Sequence, residues 1–159
     1  MRSLDRTDRE IIRLLQENAR RSNKELAAAI GLAPSTCSER VRRLEDAGVF
    51  RGFHADVDPA VLGISLRAMV AVRLSRHTAH DVDQFTDRAR AMPEVARMWH
   101  VSGANDFLIE VVVRDADHLR QLAVSGFTTM PEVAHIETAL VFTESGTPTL
   151  PDLTRADAR

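Results

Sequence analysis

Hydrophobic residues in the first fifty positions recur at the spacing of an amphipathic helix. A helix is predicted over residues 4–19, because one of its sides is apolar and the other is charged. Asp5 is placed to cap the first turn, and Asp8 suits the positive end of the helix dipole. The apolar side consists of Leu4, Ile11, Ile12, Leu15 and Ala19.

Two shorter helical segments follow, separated by a glycine-containing turn. Ser22 and Glu25 match a capping box at the start of the second helix, which ends at Gly31. Pro34 suits the first position of a third helix that runs to about Ala47. Two short helices joined in this way after a supporting helix predict a helix-turn-helix, although the spacing also fits a plain three-helix bundle.

The third predicted helix has one apolar and one polar side. Cys37 shares the apolar side with Val41 and Leu44, so it is interpreted as a small buried hydrophobe rather than a redox sensor. On the polar side, hydroxyls fit a major groove, arginine can bond guanine and glutamate can accept from cytosine. A solvated face on which acids balance the arginines is the competing interpretation. The candidate DNA-binding residues are Ser35, Thr36, Ser38, Glu39, Arg42 and Arg43.

The segment after the third helix alternates between apolar and other residues. Phe53, Ala55 and Val57 take the apolar positions, which is typical of a half-buried strand within residues 49–57. An isolated strand leaves its backbone groups unpaired. We therefore expect this strand to pack against a second copy of the chain.

The second half of the sequence repeats a five-residue motif. Met-Pro-Glu-Val-Ala occupies residues 92–96 and again residues 130–134, and each copy lies between a helical and a strand-like segment. This order predicts a ferredoxin-like βαββαβ sandwich, in which two helices cover a four-stranded antiparallel sheet. Strands are predicted over 66–74, 95–101, 107–113 and 133–142, and helices over about 79–91 and 116–127.

Both faces of the predicted sheet carry apolar residues. An apolar face that helices leave uncovered favours sheet-to-sheet dimerisation. The positions that alternate with further apolar residues are Met69, Ala71, Arg73, Val101, Val111 and Val113.

Composition narrows the classes of function. The 159 residues have a net charge of −2, which excludes a generally basic nucleic-acid coat but leaves room for a local DNA-reading surface. The charged first residues and the lack of a long apolar run argue against a signal peptide and a membrane partner. A single cysteine fits a reducing compartment, so a cytoplasmic protein is predicted.

The sequence contains no motif for catalysis or for a cofactor. A phosphate-binding loop, a dinucleotide-binding glycine motif and a nucleophile elbow are all missing. His77 and His80 are interpreted as surface residues, because no further ligand cluster accompanies them. We expect no catalytic residue, no metal and no cofactor.

Leu4-Asp5-x-x-Asp8-x-x-Ile11-Ile12 at the start of the chain is a distinctive pattern, and it is followed by equally distinctive blocks at residues 25–27, 31–45 and 48–50. Together these resemble the leucine-responsive/asparagine regulator family, Lrp/AsnC. The resemblance implies that the third helix reads double-stranded DNA and that the chain forms homodimers, which often assemble further. The implied division is a winged helix-turn-helix over 1–50, a connecting strand or hinge over 51–64, an effector-binding and oligomerisation domain over 65–143, and a tail over 144–159.

Residues 101–108 look like the loop in which this family holds an amino-acid effector near a dimer–dimer contact. Gly103 would let the backbone approach a ligand, and turn N–H groups can donate hydrogen bonds to a carboxylate. Asp106 could pair with an α-ammonium group or simply fix the turn. Many relatives carry an acidic residue at position 104 and an aromatic one at position 105. The implied effector-binding residues are Gly103, Ala104, Asn105 and Asp106, with Thr138 as a further candidate.

The sequence as a whole therefore predicts an α+β chain that regulates transcription. Two recognition helices related by a twofold axis should prefer pseudo-palindromic sites. An amino acid bound at a subunit contact would favour one assembly state and so set the spacing of these helices. The alternative is an effector-independent architectural DNA-binding protein. The polar tail is expected to be mobile, or to order only on assembly.

Overall fold

Three helices form the first half of the structure, a computed structural model that describes residues 4–146 and 149–154. They belong to one compact unit, which comprises the chain up to Asp56 and the residues from Ser145 onward; Val57–Glu144 form a second unit. The three helices are α1 (Arg6–Glu17), α2 (Asn23–Ile30) and α3 (Pro34–Asp46).

The helix ends follow from local chemistry. Asp5 and Asp8 form a capping box at the start of α1, and Ser22 and Glu25 form another at the start of α2. Gly31 closes α2 at φ 70°, a left-handed conformation that favours glycine. The predicted first helix is two residues too long at each end, because its capping residue lies outside the helix and Asn18 is already extended.

The helical unit has its own core, in which every helix takes part. Cys37 is fully buried there, and burial raises the pKa of its thiol, which confirms its interpretation as a small hydrophobe. The core residues are Ile11, Leu14, Leu15, Leu26, Ala27, Cys37 and Leu44.

The strand expected after α3 does not form. Residues 51–58 are exposed and have no regular secondary structure, and a short 3₁₀ turn follows at Pro59–Leu62. Phe53 is 49% exposed although its ring lies 5.4 Å from that of Phe50, centroid to centroid. Among the residues that the structure describes, the alternating pattern has no partner strand, so pairing with a second copy stays a prediction.

The tail was expected to be mobile or to order only on assembly, but its described part contacts α1 within the same unit. The backbone N–H of Leu150 donates to Oε1 of Gln16 at 2.7 Å, and Arg9 pairs with Asp152 at 3.1 Å. Residues 147–148 and 155–159 lie outside the described residues. Residues 149–154 therefore have contacts in a single copy of the chain.

The second unit is the ferredoxin-like sandwich that the repeat predicted, and the α+β fold class is confirmed. Its four strands are antiparallel in the order β2-β3-β1-β4. After α5 the chain continues as a π-helical turn, Leu122–Phe127, instead of the single helix predicted to residue 127. The elements are β1 (Leu66–Leu74), α4 (Ala79–Arg90), β2 (Val95–His100), β3 (Phe107–Val113), α5 (Ala116–Gln121) and β4 (Val133–Leu140).

One face of this sheet packs against α4, α5 and the π-helical turn. Phe85 of α4 is fully buried there, 4.7 Å from the ring of Phe107. Val111 and Val113 also lie in this core, so these two of the six alternating positions belong to the covered face. Val101, predicted to end β2, lies just beyond it.

The opposite face of the sheet mixes apolar and charged side chains. Met69 pairs in register with Glu110, and the Glu110 carboxylate lies 3.1 Å from Arg67 and 3.8 Å from Arg97. Trp99, the only tryptophan of the chain, is 43% exposed and pairs with Leu108 on the same face. Directly paired residues point to the same side of a sheet, so Glu110 and its arginine partners share this face with Met69 and Trp99. The face is therefore less apolar than predicted.

Candidate DNA-binding surface and effector loop

The start of α3 presents short polar side chains and free backbone donors. Ala33 is the N-cap and supplies no side-chain acceptor, and Pro34 occupies the first helical turn. Proline lacks an N–H group, so the amides of Ser35 and Thr36 are the first unpaired donors at this end. Both residues are exposed. An exposed helix start of this kind can receive a phosphate oxygen.

Ser38 is linked to the preceding helix. The side-chain amide of Asn23, the first residue of α2, donates to the Ser38 hydroxyl at 3.2 Å. Both residues are exposed, so the two helix surfaces meet in one polar strip. The sequence analysis did not single out Asn23, whose side-chain amide is of a type that can bond a DNA phosphate.

The structure separates the two adjacent arginines of α3. Arg42 is exposed beside Glu39, and neither side chain has a hydrogen bond or ion pair with any other described residue. Arg43 instead reaches α1, where its Nη2 lies 2.7 Å from Oδ1 and 2.8 Å from Oδ2 of Asp8. Five of the six candidate DNA-binding residues are thus exposed without an ion pair, and Arg43 is held internally.

A second arginine of α3 contacts the same carboxylate. Nη1 of Arg40 lies 2.8 Å from Oδ1 of Asp8 and 2.6 Å from Oδ2 of Asp5. The pKa of Asp5 is lowered, mainly by the backbone N–H of Asp8 and then by Arg40, and the hydrogen bond to Asp5 raises the pKa of Arg40. We call Asp5, Asp8, Arg40 and Arg43 the α1–α3 clamp.

The candidate effector loop is the turn between β2 and β3. Gly103 adopts φ 124°, which side-chain-bearing residues rarely take, and Ser102, Gly103 and Ala104 are exposed. Asn105 is half-buried. The exposed part of the loop is thus backbone with small side chains, which leaves its polar main-chain atoms accessible.

Asp106 is fixed by contacts within the chain. Its Oδ2 accepts from the backbone N–H of Leu74 at 2.8 Å, and its Oδ1 lies 2.9 Å from Nδ1 of His77. Its own N–H donates to the carbonyl of Val72 at 2.8 Å, and its carbonyl accepts from Val101 at 2.9 Å. Of the two roles considered for this carboxylate, these contacts favour fixing the turn.

Thr138 is not brought to the loop within one chain. It is exposed on β4 and pairs with Val70, so β1 separates it from the strands that carry the loop. In the part of the chain that the structure describes, no three His, Cys, Asp or Glu side chains gather as a metal site would require. Nor does any helix there have the length and apolar character that a bilayer crossing needs.

Two family models match the chain, one to each half. A winged helix-turn-helix DNA-binding model matches residues 4–51, and a Lrp/AsnC ligand binding domain model matches residues 67–148. The HTH-type transcriptional regulator AldR of Mycolicibacterium smegmatis is 40% identical over 141 residues, which cover 89% of this chain and 82% of AldR. The leucine-responsive regulatory protein of Escherichia coli K12 is 36% identical over 143 residues, which cover 90% of this chain and 87% of that protein.

Solved structures agree with these matches. A transcriptional regulator of Neisseria meningitidis in complex with L-Met superposes with a TM-score of 0.88 at 30% identity, over 94% of this chain and 97% of the other. AsnC of Escherichia coli superposes with a TM-score of 0.82 at 28% identity, over 93% of this chain and 98% of AsnC.

Proposed function

Because this chain belongs to the Lrp/AsnC family of transcriptional regulators, we propose that it reads specific DNA sites with α3 and senses an amino acid with its C-terminal domain. The chain is a transcriptional regulator with a DNA-binding and a ligand-binding domain, and its family consists of regulators rather than enzymes. The proposal adds sequence-specific reading, homo-oligomers and the class of the effector.

The observation that carries sequence-specific reading is the state of Arg42. Its guanidinium is exposed on α3 and has no partner among the described residues, so it can bond O6 and N7 of guanine without breaking an internal contact. Glu39 lies nearby on the same side of the helix and can accept from cytosine. Ser35 and Thr36 are short enough to let the helix start approach the groove floor.

The proposal of homo-oligomers is supported by the presence of one recognition helix, α3, in each chain. One recognition helix reads only a few base pairs, and a twofold dimer reads two half-sites about one helical turn apart. The half-exposed face of the sheet, with Trp99 and Met69, is the surface that we assign to dimerisation. The domain division proposed from the sequence, with a hinge over 51–64, would connect this surface to the reading helices.

An amino-acid effector fits the chemistry of the loop after β2. The relative from Neisseria meningitidis was solved with L-Met. The exposed backbone around Gly103 offers N–H donors for a carboxylate. Asp106 would meet the α-ammonium group only if its bond to Leu74 or to His77 were shared. Binding at a subunit contact would shift assembly by the difference in affinity between the assembly states.

The experiment that tests sequence-specific reading starts with selection of bound sites from random double-stranded DNA. Affinity is then measured by fluorescence anisotropy for the natural protein and for Arg42→Ala. A lost bidentate base contact should weaken binding by about 1–3 kcal/mol and relax preference at one base pair. Arg120→Ala, which removes the same charge from exposed α5, is the matched control and should change neither quantity. Unchanged affinity and base preference in Arg42→Ala would refute the assignment.

Effector sensing is tested by light-scattering mass and DNA affinity with each of the twenty amino acids. A change in mass or in DNA affinity with one or a few of them supports the proposal. The architectural alternative draws support from Asp106, whose carboxylate oxygens already have partners within the chain. It predicts that neither quantity responds to any amino acid.

A further inference from the structure

We propose that Arg43 is a positioning residue of the recognition helix that acts through Asp8, and that the DNA-reading set of this chain ends at Arg42. This inference rests on the proposed function, since it concerns how α3 is presented to DNA. It assigns opposite roles to two adjacent arginines that the sequence does not distinguish.

The first observation is the burial of the carboxylate that holds Arg43. Asp8 is 3% exposed, and both of its oxygens lie within 2.8 Å of Nη2 of Arg43. A buried carboxylate is stable as an anion only while it is paired and hydrogen-bonded. If Nη2 of Arg43 left Asp8 for DNA, Oδ1 would keep Arg40 at 2.8 Å, but Oδ2 would keep only a 3.3 Å contact from the backbone N–H of Asp5. The structure therefore opposes movement of this arginine to a base.

The second observation is that the clamp binds α3 through two of its residues, Arg40 and Arg43. Arg40 and Arg43 lie three residues apart, which places them about 60° apart around the helix axis. Their partners Asp5 and Asp8 are likewise three residues apart, across the first turn of α1. One ion pair would allow α3 to roll about its axis, whereas two pairs on one flank oppose that rotation.

The roll of α3 matters because it decides which side chains face the groove. Arg42 follows Arg40 by two positions and so lies about 160° further around the helix, on the face opposite α1. A change in roll would swing Arg42 and Glu39 sideways together. The apolar contacts of Cys37 and Leu44 oppose separation of the helices but are less directional than the ion pairs.

The rival explanation is a direct contact between Arg43 and a DNA phosphate. The side chain is 49% exposed, and only its Nη2 has a partner among the described residues. The two explanations differ in salt dependence. A lost phosphate contact lowers the slope of log affinity against log salt by about 0.9 and weakens all sequences equally. A lost positioning contact leaves that slope unchanged and reduces discrimination between sites.

The test uses the selected DNA site and a copy of it with one changed base pair. Affinities for both are measured at several salt concentrations for the natural protein, Arg43→Ala, Arg43→Lys, Asp8→Asn and the double variant Asp8→Asn/Arg43→Ala. We expect Arg43→Ala to reduce discrimination roughly tenfold, the equivalent of one base contact, at an unchanged salt slope. Arg43→Lys should not restore it, because the lysine side chain is shorter, more flexible and more strongly hydrated at its ammonium group, so it holds α3 less firmly against Asp8.

Non-additivity gives the second readout. If Arg43 acts through Asp8, the double variant should discriminate no worse than either single variant. Circular dichroism checks that each variant is folded at the assay temperature, and Arg43→Ala is informative even if Asp8→Asn does not fold. A reduced salt slope, rescue by lysine, or unchanged discrimination in folded Arg43→Ala would each overturn the proposal. Failure of the proposed function would look different, since the natural protein itself would then select no DNA site.

Discussion

Replacing Phe85 with alanine should destabilise the sheet unit and leave the helical unit intact. Phe85 is fully buried, and its ring contacts Phe107 under the sheet. Truncation of such a residue costs about 3–5 kcal/mol through lost transfer energy and the remaining cavity. With a urea dependence of about 2 kcal/mol per M, the unfolding midpoint of this unit should fall by roughly 2 M. A domain whose free energy of unfolding lies above about 5 kcal/mol, the lower end of the ordinary range, stays folded in water after this loss.

Two spectroscopic signals distinguish the unfolding of the sheet unit from that of the helical unit. Trp99 is the only tryptophan, the chain has no tyrosine, and β2 lies in the sheet unit, so fluorescence follows that unit alone. Circular dichroism at helical wavelengths follows both units, because α1, α2 and α3 lie in the other one. Protein concentration must be held constant, since any self-association would also change the midpoint.

Leu26→Ala is the matched control in the helical unit. Leu26 is 1% exposed in a core that shares no residue with the core around Phe85. Its truncation should cost about 2–5 kcal/mol and appear in circular dichroism without shifting the fluorescence midpoint. If both signals moved together in both variants, the two units would unfold as one, and the reasoning from separate cores would be refuted.

Three further predictions concern local stability. Thr78→Ala removes the hydroxyl that caps α4 and should cost about 1 kcal/mol, measured as a lower urea midpoint of Trp99 fluorescence. The pKa of Asp81 is lowered, mainly by the hydrogen bond from the Thr78 hydroxyl. The ionised carboxylate therefore stabilises the fold fully above the ordinary pKa of 3.8, and this contribution is lost as the pH falls below that value. Asp81→Asn should accordingly lose less stability between pH 6 and pH 3 than the natural protein. Gly31→Ala forces a side chain into the left-handed region and should cost about 1–2 kcal/mol by circular dichroism, whereas Gly146→Ala should be nearly neutral.

The sequence was most informative where a local pattern and its partner lie in the same chain. The bounds of β1 and β3 agree with those predicted, because each is a mainly apolar segment closed by turn residues. Each copy of the repeated Met-Pro-Glu-Val-Ala motif marked the passage from a helical segment to the strand that follows it, β2 or β4. The prediction of the second helix of the sandwich was wrong after Gln121, since periodicity does not distinguish an α-helical from a π-helical turn.

Features that depend on distant partners were less predictable. The alternation around Phe53 indicated a strand, but no strand in the described part of the chain pairs with it. Arg43 lies on the solvent side of a helical projection, yet its long side chain reaches back to Asp8 on α1. Asp106 had two open roles, and the choice between them depended on Leu74 and His77, which lie some thirty residues earlier in the chain.

Labelling of the Cys37 thiol can measure how often the core beneath the recognition helix opens. Cys37 is the only thiol in the chain and lies fully buried on the inner side of α3 itself, so a reagent in solution reaches it only while the helical core is open. Under excess alkylating reagent, the rate of labelling therefore reports how often α3 separates from α1 and α2. A bound duplex would hold α3 closed and slow the labelling. Following the labelled fraction by mass spectrometry over time would thus measure the fraction of the regulator that is bound to DNA.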